Sequence, residues 1–269
     1  DFGGKGSGSG KFGKTISVAF DSNNNIYISD KDNKMIQKLD GTGNFVMQIP
    51  ESSSEVSPFN VPGDIAVDSE GNIYVADWGS EYIDGTDNPR LYFYSPCVHK
   101  LATSGAIIQT YFVDEFTPKP RAVTPGTFVV DENGKYGWAI QPKYYNRELL
   151  VTVDSKGNVY ILDVKSNVIL KYRSSGEEIT SFGRYGSGSG ELDNASDMVI
   201  DKQDNILVAD KGNNRVVKFD SAGNELLTFG LKGQSDGQFM EPVFIMVTQN
   251  NEILVKDSSK YERIGLEHP

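Results

Sequence analysis

One repeat length limits what this chain can fold into more than any other feature. An Asp that opens a turn falls at Asp21, Asp68, Asp154 and Asp201, with Thr248 at the equivalent place in a fifth copy. The intervals are 47 residues, except for one of 86. A second Asp keeps step at Asp30, Asp77, Asp163, Asp210 and Asp257. The most regular copy, residues 196–230, holds four short runs of alternating apolar and polar residues, separated by DKQDN, DKGNN and DSAGN. Period-two alternation closed by Asp, Asn and Gly predicts half-buried strands joined by tight turns. A four-stranded meander cannot cover both its faces alone, so copies must stack on one another. A pitch of this length with four strands per copy predicts an all-β fold, a β-propeller with one blade per repeat.

The long interval is close to two pitches and contains a degraded copy. Residues 128–139, FVVDENGKYGWA, align without a gap on IAVDSEGNIYVA at 65–76. This predicts the inner hairpin of an additional blade, followed by too few residues for two outer strands. The expectation is therefore six blades with an irregular third; five blades with insertions is the alternative. The opening Asp1-Phe2-Gly3 matches Thr228-Phe229-Gly230, the end of an outermost strand. The chain ends, at residues 260–266, in what reads as a third strand. Pairing of Phe2 beside that strand would close the ring. One propeller domain accounts for residues 1–269, and the lack of an initiating Met suggests a mature or excised piece, part of a larger chain or assembly.

Several strand and turn sequences carry a family resemblance. GNNRVVKFDSAGNELLTFG, preceded by NILVAD, resembles the NHL repeat, as do NIYISDKDNKMIQKLDGTGNF and NVYILDVKSNVILKYRSSG. The resemblance fails mainly over 78–96 and 112–148. It implies a six-bladed propeller used mostly as a binding platform. The family includes RNA-binding proteins, extracellular sensor domains and a peptide-amidating lyase. The lyase branch relies on several His residues around a channel metal, whereas this chain has only His99, on a predicted outer strand, and His268 near its end. Lactonase-like propellers use carboxylates and Asn on calcium, so a calcium-dependent lactonase or lyase remains the alternative function.

Composition narrows the partners. The net charge of −11 disfavours nucleic acid and anionic membranes, and no apolar run is long enough to span a bilayer. A single Cys, Cys97, excludes an internal disulfide. The seven Arg and the many Asn, Gly and Ser suit an extracellular or cell-surface protein. A literal phosphate-loop match, Gly8 to Gly13-Lys14-Thr15, precedes a strand pattern rather than a helix, and its Gly-Ser run recurs at 183–194. It reads as a connection between blades, since the phosphate motif needs a helix N-terminus behind it.

Two groups of residues are candidates for function. The Asp30 to Asp257 set would ring the face that carries the second-to-third-strand loops, where carboxylates could hold Ca²⁺. Repetition in every blade favours instead a turn role, with each carboxylate accepting local N–H groups. No cofactor is therefore expected. The stronger signal is the pair of insertions, 78–96 and 112–148, which topology brings to that same face. Residues 78–148 contain both Trp, seven of thirteen Tyr and six of eleven Pro. Trp78, Tyr82, Arg90, Tyr92, Tyr94, Arg121, Trp138, Tyr144 and Tyr145 are the expected ligand-binding residues of a non-enzymatic platform for a protein, peptide or glycan. The alternative is that these aromatics only cover the incomplete blade.

Overall fold

The computed structural model describes residues 3–50, 57–78, 80–83, 91–94, 96–113, 129–130, 136–137, 148–248, 250–258 and 261–264. Its regular structure is β, with one 3-10 turn at Lys211–Asn213. Sheet one is built from Thr15–Phe20, Ile26–Asp30, Met35–Leu39 and Phe45–Ile49 in meander order. Sheet two uses Pro62–Val67, Ile73–Asp77, Cys97–Leu101 and Ile107–Phe112. Sheet three comprises Leu149–Val153, Val159–Asp163, Val168–Tyr172 and Glu178–Phe182. In sheet four the strands are Asp197–Ile200, Ile206–Asp210, Arg215–Phe219 and Glu225–Phe229. Sheet five has three strands, Pro242–Val247, Ile253–Asp257 and Tyr261–Ile264. Antiparallel four-stranded sheets arranged as blades are the predicted propeller architecture.

The Asp-led turns set the register. Asp21, Asp68, Asp154 and Asp201 each accept the backbone N–H of the residues two and four places on. The fourth turn residue takes a positive φ at Asn24, Gly71, Gly157, Asp204 and Asn251, which explains the Gly, Asn and Asp found there. In three repeats the same carboxylate also accepts a Tyr hydroxyl, from Tyr27, Tyr74 and Tyr160. Lys38, Lys100 and Lys171 lie over those rings. These acids are turn residues, as expected.

Apolar residues fill the spaces between successive sheets. Tyr27, Ile36, Phe59, Ile65 and Val75 join sheets one and two. Tyr74, Val98, Tyr111, Leu149 and Ile161 join two and three. Sheets three and four meet through Tyr160, Leu162, Met198 and Val208, and four and five through Leu207, Val216, Ile245 and Val255. Among the described residues sheet two packs directly on sheet three. The Trp78 indole donates to the Leu149 carbonyl, and Tyr172 donates to the Phe112 carbonyl, across that junction. Within the predicted hairpin, Val129–Val130 pairs with Tyr136–Gly137.

The inner strands of neighbouring sheets pack side by side from one to five, and no comparable packing joins five back to one among the described residues. Exposure at one repeat position makes the point. Ile65, Val151, Met198 and Ile245 are 2–4% exposed, each against the preceding sheet, whereas the equivalent Val18 is 50% exposed. At the other end Phe244 and Met246 are also exposed. The expected closing partner, Phe2, lies outside the described residues.

Candidate functional site

The face carrying the second-to-third-strand loops also carries the connections between sheets. Its acids are committed to structure. Asp30 accepts from Gly13 N, Asp77 from Asn60 N and Val61 N, Asp210 from Asp193 N, and Asp257 from Met240 N and Glu241 N. Each thereby ties the incoming connection to the end of its second strand. Asp163 accepts instead from Lys165 N and the Ser166 hydroxyl within its own loop. Among the described residues no three His, Cys, Asp or Glu side chains group closely enough to hold a metal.

The sequence-predicted aromatics divide in two. Trp78 is half-buried at the junction of sheets two and three, with Lys31 5.2 Å from its ring centroid. Its indole occupies the space over Gly63, where any Cβ would overlap it. Trp78 thereby packs against Gly63 and ties sheet two to the Leu149 carbonyl of sheet three. The first insertion forms a hairpin of Ser80–Ile83 and Leu91–Tyr94, in which Tyr82 and Tyr92 are register partners and Tyr94 pairs with Ser80. Arg90, Arg121, Trp138, Tyr144 and Tyr145 lie outside the described residues.

His99 is half-buried within sheet two. It contacts the Thr110 hydroxyl at 3.0 Å and Cys97 Sγ at 3.5 Å, with Asp77 Oδ2 at 3.9 Å. Burial pushes its pKa down and pushes the Cys97 thiol well up, so the thiol stays protonated and unreactive.

Two carboxyls unnoticed in the sequence sit on the inner strands. Asp64 accepts the Ser17 hydroxyl of sheet one at 2.6 Å and Val151 N of sheet three at 2.9 Å. Asp197 accepts Ile245 N of sheet five at 2.7 Å. Both are half-buried by area and closely enclosed by protein. Desolvation raises Asp64 to about 6, and desolvation together with the charge of Asp64 raises Asp197 to about 7. They tie neighbouring inner strands together.

Two polar crevices open on the loop face at consecutive junctions. The first, about 410 Å³, lies between sheets three and four and is lined by Glu148, Lys165, Asn167, Tyr185, Asp193 and Asn194. The second, about 340 Å³, lies one repeat on and includes Lys211, Asn214, Lys232, Met240 and Glu241; Asn194 borders both. The two have the same architecture with different chemistry. Asn214, in the left-handed region, donates through its amide to the Met240 carbonyl. Its counterpart Asn167 has the same backbone conformation and is 4% exposed, but its side-chain carbonyl has no hydrogen-bond partner. The sequence reading missed these crevices. The available signal was Tyr185, which stands where the equivalent loops have Lys5 and Lys232.

The NHL repeat family matches the chain at residues 59–81 and 192–219, so the chain carries NHL repeats there. No curated protein matches the sequence. Several solved structures share the fold. A Bacteroides caccae protein of unknown function aligns with a TM-score of 0.56 at 11% identity, over 91% of this chain and 70% of that one. A gluconolactonase from Xanthomonas campestris aligns with a TM-score of 0.56 at 14% identity, over 93% and 71%. A catalytically inactive virginiamycin B lyase variant from Staphylococcus aureus with quinupristin aligns at 0.51 and 12%, over 94% and 81%. At such identities the likeness is one of fold alone.

Proposed function

We propose that this chain is a non-enzymatic binding propeller, extracellular or cell-surface, that recognises a protein, peptide or glycan on its loop face. The observation that carries the reading is the contrast between the repeated acids and the crevices. The acids recur in every repeat and are tied up by backbone N–H groups; the crevices share a frame but differ in lining. A repeat that performs a structural task keeps its residues, whereas a recognition surface departs from them locally. The insertion hairpin, in which Tyr82 and Tyr92 are register partners, connects the second and third strands of sheet two and supplies the residue type in which binding energy concentrates.

The test is a screen of the intact chain against displayed peptides and a printed glycan array, with calcium and with chelator. The reading expects a ligand whose binding is weakened by changes at Tyr82, Tyr92 or the crevices and is unaffected by chelator. Hydrolysis of an aldonolactone that depends on calcium would replace it with the lactonase reading.

A further inference from the structure

We infer that the crevice between sheets three and four is a saccharide subsite, with Tyr185 as its stacking face and Glu148, Asp193, Asn194 and Asn167 as its hydroxyl-binding groups. This rests on the loop-face reading above and names its ligand class. Tyr185 is 70% exposed beside the polar crevice. A pyranose ring presents C–H bonds on one face, which pack on an aromatic ring, and vicinal hydroxyls at its edge. Those hydroxyls pair with side chains offering adjacent donors and acceptors, as carboxylates and amides do.

The loop that presents Tyr185 is held more firmly than an exposed connection requires. Arg215 donates to the carbonyls of Ser187, Gly188 and Glu191, and its Nε pairs with Asp210 at 2.7 Å. Glu191 accepts Gly188 N and pairs with Arg184, while Glu225 accepts Gly190 N and the Ser189 hydroxyl. Asn213 donates to the Gly186 carbonyl. An exposed aromatic on a braced loop loses little entropy on binding, which is the condition for a preorganised contact. The next loop along, residues 231–240, carries Lys232 in place of Tyr185, and its crevice lacks the aromatic face. Asn167 lines the first crevice, and its buried side-chain carbonyl has no hydrogen-bond partner among the described residues; an unpaired buried acceptor is unfavourable. Carboxylates and Lys165 together on the lining favour an uncharged ring over an anionic one.

The experiment is saturation-transfer NMR and calorimetry on the intact chain with the methyl glycosides of glucose, galactose and mannose, extended to hits from the glycan array. Tyr185→Lys is the principal variant, because the equivalent loops already fold with Lys at that place; Glu148→Ala is the second. The inference expects transfer to ring protons of at least one saccharide, and an affinity loss of at least tenfold in Tyr185→Lys. Saccharide binding unchanged in both variants would overturn it. Absence of any saccharide binding, alongside peptide binding sensitive to loop-face variants, would overturn it while leaving the binding reading intact. No ligand of either kind would overturn both.

Discussion

Replacing Asp64 by Asn isolates an electrostatic cost built into the centre of the molecule. In the native protein the Asp64 carboxyl is raised from an ordinary value near 3.8 to about 6, chiefly by desolvation. A group whose folded pKa is raised contributes its full stability below the unfolded value and loses it as pH climbs through the folded value. The window is therefore about pH 4 to 7. The shift corresponds to about 3 kcal/mol at most, and partial access of water brings the expected effect to about 1–2 kcal/mol. Asn is nearly isosteric, accepts Val151 N through its oxygen and donates to the Ser17 hydroxyl, so both ties survive without a charge. The variant should match the native protein at pH 4 and exceed it at pH 8, with the melting temperature about 2–8 °C higher at the upper pH. Paired thermal melts of both proteins across that range measure the difference, in which titrating groups uncoupled from Asp64 cancel; Asp197, which the Asp64 charge helps raise, contributes to it in its own window. A variant that is less stable than the native protein at pH 8, or a difference that does not change with pH, would refute the argument. Asp197→Asn should behave alike, over a window reaching about one pH unit higher, since that carboxyl is raised to about 7.

Other predictions follow from repeat equivalence. Met198→Ala, at a position 4% exposed between sheets three and four, should cost about 2–5 kcal/mol in urea denaturation. Val18→Ala, at the same repeat position but 50% exposed, should stay within about 0.5 kcal/mol; equal costs would show that sheet one has a packing partner on that face. Asp210→Ala removes a fully buried acceptor of Asp193 N, Asn213 and Arg215. It should cost about 3 kcal/mol or more, as loss of a buried pair does, without changing calcium content by elemental analysis. Arg215→Ala should speed amide exchange at residues 186–191, with little change at the lower turns near Asp201.

The fold was legible because its signals are local and repeated. Alternation within the runs, Asp at turn openings and Asn or Gly at left-handed positions are each decided by a few neighbouring residues. Both readings of the repeated acids were visible too, and contacts such as Asp257 with Met240 N and Glu241 N supplied what the sequence could not. Residues 128–139 match a blade hairpin in pattern, which fixes the pairing of Val129–Val130 with Tyr136–Gly137; what packs beside it is chosen by contacts distant in sequence, as where Tyr74, Tyr111 and Leu149 share one core. Trp78 stood out as an aromatic in an insertion, but its contacts with Gly63 and the Leu149 carbonyl, the latter distant in sequence, were not legible there. Asp64 and Asp197 were hidden within apolar inner strands. Tyr185 was passed over because its Gly-Ser loop reads as a connection, and only comparison with Lys5 and Lys232 sets it apart.

The most direct test of the binding account is hydrogen–deuterium exchange of the intact chain with and without a ligand captured by the peptide or glycan screen. The account predicts ligand-dependent protection on the loop face, at residues 164–167, 184–194 and 211–214 or in the 80–94 hairpin. The opposite turns, at 21–25, 68–72, 154–158 and 201–205, should be unchanged. Protection confined to those opposite turns would contradict it.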